Sequence, residues 1–147
     1  MNIKIIGFAK MTTLELYDCL KLRSDVFVVE QECIYPDIDF SDKTSNHLLA
    51  IKENELIGYL RINSNDKFIA KIERVIIAKE YRGLGYAKQI ISKAINFVKY
   101  STSNKIIKIS AQEYLKDFYQ SFLFKQKGTS YFDYGIEHID MKLNLKN

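Results

Sequence analysis

The spacing of apolar residues along the chain predicts three helices. Apolar side chains recur every three to four positions over residues 85–100, which is typical of an amphipathic helix. An earlier helix is predicted from Thr12 to about Phe27, because Thr12 and Glu15 fit a capping box. A short third helix is predicted over residues 114–122. The apolar face of the middle helix consists of Ala87, Ile90, Ile91, Ala94, Ile95 and Val98.

Apolar runs bounded by polar turns predict the strands. Residues 29–46, by contrast, look irregular, with at most a short helical turn. In chain order the elements read strand, helix, three strands, helix, strand, helix and two strands, which predicts a mixed α/β layer fold. With 147 residues the chain has the length of one domain, spanning 1–147. The predicted strands are 2–9, 47–52, 56–62, 68–78, 105–111 and two within 130–145, which turn near residues 134–135.

A glycine-bearing turn joins the strand 68–78 to the helix that follows it. Its sequence is Arg82-Gly83-Leu84-Gly85-Tyr86-Ala87. The first N–H groups of a helix have no intrahelical partner and carry partial positive charge, so they suit a phosphate. Two glycines allow an anion to come close to the backbone. The dinucleotide fingerprint would need a third glycine and the P-loop a Gly-Lys-Ser/Thr ending, and both are absent.

The six residues resemble the pyrophosphate loop of the GNAT acetyltransferases, Arg/Gln-x-x-Gly-x-Gly/Ala, and the element order matches that fold as well. The resemblance extends over nearly the whole chain and is closest to the ElaA-type subfamily. It implies a central, mostly antiparallel twisted sheet flanked by helices. It also implies transfer of an acetyl group from acetyl-CoA to a primary amine, without a metal. The subfamily-like residues are 28–31, Cys33, Tyr35, 37–39, Asp42, His47, 119–122 and 135–139.

The same resemblance assigns roles to residues around the loop. Residues Arg82, Gly83, Leu84, Gly85, Tyr86 and Ala87 would bind the pyrophosphate. The backbone of Val75, Ile76 and Ile77 would bind the pantetheine arm, together with Gln112, which stands where the family has an Asn. Tyr119 would protonate the leaving thiolate. The chain departs from the family at Leu123, where a glycine is expected before Phe124.

The general base is left open by the sequence. Glu73 is the first candidate, because alternation in a regular strand would put it on one face with Val75 and Ile77. A bulge would break that relation, and a salt bridge with a neighbouring lysine is the simpler role for this carboxylate. Glu30, His47 and His138 are alternatives, as is a chain of waters.

Charge is distributed unevenly along the chain. Residues 25–43 contain six acids and one base, so this segment carries −5 and, with +4 in total, the remainder carries +9. Such a segment predicts a site that attracts a cationic amine, and a solvated loop is the alternative. The candidate acceptor residues are Glu30, Asp37, Asp39, His47 and His138.

The remaining expectations concern setting and partners. Two cysteines without a metal or redox motif predict reduced thiols, with Cys19 in the core. We expect a cytoplasmic protein, because neither a signal peptide nor a membrane-length apolar stretch is present. The partners would be a small-molecule or peptide amine, without nucleic acid or membrane, for a monomer or homodimer. The alternative function is a CoA-binding regulatory or scaffold module.

Overall fold

The computed structural model describes residues 1–145. Its helices are α1 (Thr13–Arg23), α2 (Tyr86–Ser101) and α3 (Lys116–Gln120). Its strands are β1 (Asn2–Gly7), β2 (Asn46–Lys52), β3 (Glu55–Asn63), β4 (Ile69–Ile77), β5 (Ile106–Gln112), β6 (Lys125–Asp133) and β7 (Ile136–Asn144). The mixed α/β order predicted from the sequence is confirmed.

All seven strands form one sheet in the order β1-β2-β3-β4-β5-β7-β6. Neighbouring strands are antiparallel except β4 and β5, which run parallel. That parallel pairing is short, since it joins only Ile69, Ala70 and Lys71 to Ile106, Ile107 and Lys108. The two strands therefore separate in the middle of the sheet.

Helix α1 begins as predicted. The Thr12 side chain accepts a hydrogen bond from the Glu15 N–H at 3.0 Å, and the Thr12 N–H donates to Glu15 Oε1 at 2.9 Å. The helix does not end near residue 27, however, but continues as a π-helical segment, Ser24–Glu30. A bond from the Gln31 N–H to the Val26 carbonyl, 3.1 Å long, shows the wider turn. The irregular region therefore begins later than expected, and its one helical turn is Ser41–Thr44.

The core lies on both faces of the sheet. Helix α2 covers one face with Ile90, Ile91, Ala94 and Val98, all buried, as the helical spacing predicted. Helix α1 and the π-helical segment pack on the opposite face, where Cys19 and Val26 contact a cluster with Leu49, Tyr59 and Ile76. Cys19 is 1% exposed, so its predicted core position is confirmed, and burial raises the pKa of its thiol to about 12.

Strand β6 starts five residues earlier than predicted. All nine of its residues are exposed, so it lacks the alternation that marks a half-buried strand. Its register with β7 also shifts between Lys127 and Tyr131, beside Gly128, whose φ is +80°. An exposed, bulged edge strand leaves little hydrophobic signal in the sequence.

Over residues 1–145 no helix is long and apolar enough to cross a membrane. Within the same range no cluster of three or more His, Cys, Asp or Glu side chains could hold a metal ion. Both cysteines are free thiols.

Candidate active site

A cavity opens where β4 and β5 separate. It has a volume of about 300 Å³ and is lined by Glu73 to Ile77 of β4 and by Ile109 to Gln112 of β5. Since β5 pairs with β4 only up to Lys71, the β4 edge over Val75, Ile76 and Ile77 faces the cavity and not a partner strand. Five of the ten residues expected to bind the cofactor line the cavity, namely these three, Arg82 and Gln112, and so does Tyr119. Residues 83–87 of the glycine loop lie outside its lining.

The glycine loop follows β4 directly. Gly83 and Gly85 have φ angles of +77° and +86°, in the left-handed region that disfavours side chains. A Cβ at either position would meet no protein atom within 4 Å. Glycine is therefore required here for the backbone conformation, and the space beside the loop is open to a ligand.

The N-terminus of α2 has the free N–H donors and the positive charge that favour binding of an anion. Gly85 is its N-cap, no side chain caps the first N–H groups, and no acidic residue lies in the first turn. Lys88 adds a positive charge in that turn. The 16-residue helix adds its dipole, so unpaired donors and positive charge coincide at the loop.

The Arg82 side chain lines the cavity and is held in place by hydrogen bonds. Its guanidinium donates to Glu30 Oε2 at 2.6 Å and Oε1 at 2.9 Å, while Nε donates to the Ile77 carbonyl at 2.9 Å. The hydrogen bonds from Arg82 lower the pKa of Glu30. Glu30 lies at the end of the π-helical segment, so this pair ties that segment to the cofactor loop.

Tyr119 reaches the cavity from α3. The residue is only 5% exposed, and its ring packs edge-on against Phe118 and Phe124 at centroid distances of 5.0 and 6.0 Å. Its hydroxyl forms no hydrogen bond within residues 1–145 and lines the cavity. Burial raises the pKa of this phenol, so it keeps its proton at neutral pH.

Gln112 and His138 face each other across β5 and β7 and both line the cavity. His138 Nδ1 lies 2.7 Å from the Ile136 carbonyl. Because a carbonyl only accepts, Nδ1 carries the proton and Nε2 of the neutral ring is left as an acceptor. Tyr131 stacks on the ring at 6.1 Å, which fixes its orientation.

Glu73 lines the cavity, but on a different face from the one that regular alternation predicted. Arg74 has a φ of +57°, and the β3–β4 register shifts at this point, so β4 carries a bulge. Glu73 consequently shares a face with Ile76, while Val75 and Ile77 turn the other way. Arg61 Nε donates to Glu73 Oε2 at 2.9 Å, so the carboxylate is in a salt bridge, but its partner is an arginine of β3 and not the neighbouring lysine expected from the sequence.

Three carboxylates of the acidic segment, Asp37, Asp39 and Asp42, are paired with arginines. Arg23, 1% exposed, donates to Asp37 at 3.0 Å and to Asp42 at 2.7 Å. Arg61 donates to Asp39 at 2.8 Å and to Asp42 at 2.9 Å. Burial alone would raise the pKa of Asp42, but its bonds with these arginines outweigh burial and lower it.

Arg74 completes this network, with bonds of 2.8 Å to Asp37 and 3.2 Å to Asp39. Asp37 and Asp39 are therefore occupied by arginines and, unlike Glu73 and Glu30, do not line the cavity. The net charge of residues 25–43 therefore no longer supports a cationic acceptor. That charge was calculated along the sequence and did not include the arginines that pair with these aspartates in the fold.

His47 lies in the core and not in the cavity. It is 1% exposed, and its Nδ1 and Nε2 lie 2.6 Å from the Tyr59 hydroxyl and 2.9 Å from the Asp42 carbonyl. The carbonyl requires Nε2–H, so Tyr59 donates to Nδ1. Burial lowers the pKa of the ring and keeps it neutral.

Sequence reasoning missed the three arginines that position this region. Arg61 interrupts an apolar run between Leu60 and Ile62, and a charge within a buried strand indicates a hidden partner. Arg23 lies at the end of α1 and gave no comparable signal. Tyr35 was also missed as a cavity residue; its hydroxyl donates to Asp37 at 2.8 Å.

Comparisons with known proteins agree with this geometry. Residues 16–145 match the model of the acetyltransferase (GNAT) domain. The chain is 38% identical to Protein ElaA of Escherichia coli over 137 residues, or 90% of each chain. It is 35% identical to a UPF0039 protein of Schizosaccharomyces pombe over 140 residues, 94% of this chain and 93% of that one.

Solved structures show the same likeness. The crystal structure of E. coli ElaA superposes with a TM-score of 0.90 over 96% of this chain and 97% of that one, at 35% identity. An acyl-CoA N-acyltransferase from Pseudomonas aeruginosa gives a TM-score of 0.89 over 97% and 99% of the two chains, at 30% identity. The chain belongs to the GNAT acetyltransferase family and, within it, is similar to ElaA.

Proposed function

We propose that the protein transfers an acetyl group from acetyl-CoA to a primary amine by direct attack in a ternary complex. The observation that carries this proposal is the cavity between β4 and β5. Its lining includes Arg82, which begins the glycine loop, and Tyr119, a buried residue whose hydroxyl has no hydrogen-bond partner within residues 1–145. The P. aeruginosa relative, an acyl-CoA N-acyltransferase by name, supports acyl-CoA as the donor.

The loop suits the pyrophosphate of coenzyme A. Unpaired N–H groups at the start of α2 and the open space beside Gly83 and Gly85 fit an anion that approaches the backbone closely. The free β4 edge at Val75 to Ile77 and the amide of Gln112 would hold the pantetheine arm by hydrogen bonds.

The reaction needs a neutral amine at attack distance from the thioester carbonyl. As the N–C bond forms, negative charge develops on the carbonyl oxygen, and a backbone N–H near Ile76 would stabilise it. The C–S bond then breaks, and the departing thiolate takes the proton of the Tyr119 hydroxyl. The raised pKa of Tyr119 keeps that proton available.

The proton lost by the amine goes to a base or to water. Of the candidates, His138 has a ring nitrogen left as acceptor, whereas Glu73 is already bonded to Arg61. Geometry therefore favours His138 Nε2, directly or through one water, and Glu73 stays as the alternative.

The test is release of free thiol from acetyl-CoA against a library of small amines and peptide N-termini. With the best acceptor, Tyr119→Phe should lower kcat by roughly 10²–10⁴-fold, because it removes only the proton donor. The acetyl-CoA Kd, measured by calorimetry, should stay close to that of the unaltered protein. Tyr114→Phe is the matched control, since Tyr114 lines the same cavity but is 75% exposed.

An equal kcat for Tyr119→Phe and the unaltered protein, with chemistry limiting the rate, would remove Tyr119 from the mechanism. Tight CoA binding without thiol release for any amine would favour the alternative, a regulatory or scaffold module of the same fold.

A further inference from the structure

A second cavity of about 690 Å³ lies beside the first, on the sheet face that the polar residues of β5 and β7 occupy. The two cavities share Ile72, Glu73, Arg74, Ile109 and Ser110 as lining residues. They are therefore adjacent, and a molecule in the second cavity, which we call the lysine groove, would lie beside the proposed reaction site. Its volume lies within the range of small-molecule sites, about 300–1,000 Å³.

The lysine groove is strongly basic. Its lining includes five basic side chains and two acidic ones, for a net charge of +3. Glu73 is paired with Arg61, and Arg74 with Asp37 and Asp39, so these two charges are already matched. The four lysines and Asp140, which accepts a bond from the Tyr131 hydroxyl at 2.7 Å, account for the remaining +3. Within residues 1–145 no carboxylate forms an ion pair with the four lysines of the groove, Lys71, Lys108, Lys127 and Lys142.

Three of these lysines form a row across the sheet. Lys71 of β4 is paired in register with Lys108 of β5, and Lys108 with Lys142 of β7. Residues paired in this way are about 5 Å apart at Cα and project from the same face. Like charges directly opposite each other destabilise a sheet, so the row costs stability unless an anion neutralises it.

We propose that the lysine groove binds an anionic group, a carboxylate or phosphate, on the amine acceptor itself. This inference rests on the proposed function. Lys108 lies two residues, about 7 Å, from Ser110, which borders both cavities. An acceptor with its anion on the lysine row would place an amine a few bonds away in the reaction cavity. The acidic segment is not an alternative binding site for the acceptor, because arginines already form ion pairs with Asp37 and Asp39.

The experiment compares acceptors that differ only in the anion: O-phosphoethanolamine with ethanolamine, and 4-aminobutyrate with butylamine. We expect kcat/KM to be at least about tenfold higher for the anionic member of one pair, and this preference to shrink as salt rises. The pair that shows it distinguishes phosphate from carboxylate. Equal kcat/KM values within both pairs, or a preference for the amine without the anion in both, would overturn the proposal.

The double variant Lys108→Gln/Lys142→Gln should abolish the preference and leave both kcat/KM for the amine without the anion and the acetyl-CoA Kd unchanged. Lys108→Arg should retain it. The matched control is Lys10→Gln/Lys93→Gln, which removes two exposed lysines outside both cavities. Thermal unfolding checks that each variant folds. A preference that survives in the groove variant, or disappears in the control, would overturn the proposal.

A binding measurement separates this inference from the proposed function. Calorimetry of O-phosphoethanolamine and 4-aminobutyrate with CoA-saturated protein requires no turnover. Binding that depends on Lys108 and Lys142, without acetylation, would support the groove and refute the proposed function. Acetylation of amines without any such binding or preference would support the function and refute the groove.

Discussion

At the scale of single residues, backbone conformation and hydrogen-bond availability decide which residues could serve a ligand. Gly83 and Gly85 have positive φ angles and open space beside them, and the Tyr119 hydroxyl is left unbonded at the cavity. Asp37, Asp39 and His47 are residue types that often bind ligands, but their polar atoms are already hydrogen-bonded within the protein. Residue type alone does not distinguish the two sets.

Gly85→Val should weaken CoA binding by at least about tenfold, because a side chain obstructs the approach of the pyrophosphate to the start of α2. It also introduces left-handed backbone strain of about 1–2 kcal/mol. Gly128→Val is the matched control, since Gly128 has a φ of +80°, open space and no place in either cavity. Calorimetry measures the Kd for CoA, and urea unfolding measures the loss of stability that the strain causes. Equal CoA affinities for the two variants would exclude the loop from the binding site.

At the scale of elements, the sequence predicted a helix correctly where neighbouring residues alone determine it. The helical face of α2 and the capping box of α1 follow from spacing and from a single pair of residues. The β4 bulge at Arg74 could not be predicted, because Arg61 and two aspartates distant in sequence hold it. The early start of β6 was missed because an exposed strand has no apolar face.

The region between the π-helical segment and β2 has little regular structure and depends on buried arginines. Arg61 is 1% exposed and bonds Asp39, Asp42 and Glu73. Arg61→Leu leaves these carboxylates without that partner, so we expect it to cost about 3–5 kcal/mol in the free energy of unfolding.

The control for this prediction is Lys21→Gln, which removes an exposed ion pair with Asp25 and should cost at most about 1 kcal/mol. Urea unfolding measures both variants. Equal losses would mean that the buried arginine network does not support the fold.

At the scale of the whole molecule, the order of strands and helices could be predicted from the sequence, but the distribution of unpaired charge in the folded protein could not. The order of strands and helices predicted the mixed α/β fold. Net charge by segment was misleading, since folding pairs Asp37, Asp39 and Asp42 with arginines from α1, β3 and β4. Within residues 1–145 the row Lys71, Lys108 and Lys142 has no carboxylate as an ion-pair partner, and the row cannot be recognised until the register of the strands is known.

The same buried network should make the stability of the whole protein depend on acid. His47 is held neutral in the core, with its pKa lowered by burial from an ordinary value of 6.5. Above that pH neither state is protonated, and His47 contributes no pH dependence. Below it the unfolded chain binds a proton that the folded protein refuses, so stability falls by up to about 1.4 kcal/mol per pH unit until the folded pKa is reached.

The lowered pKa values of Asp39 and Asp42 add a further loss below about pH 3.8, their ordinary value. Urea unfolding from pH 8 to 4.5 isolates the histidine contribution. The unaltered protein should lose stability below pH 6.5, and His47→Gln, less stable at pH 8, should show a shallower slope. His138 is present in both proteins, so the difference between the two curves reports on His47. Parallel curves for the two proteins would show that His47 is protonated as readily in the folded state as in the unfolded one, against the geometry that commits its Nδ1 to the Tyr59 hydroxyl and its Nε2–H to the Asp42 carbonyl.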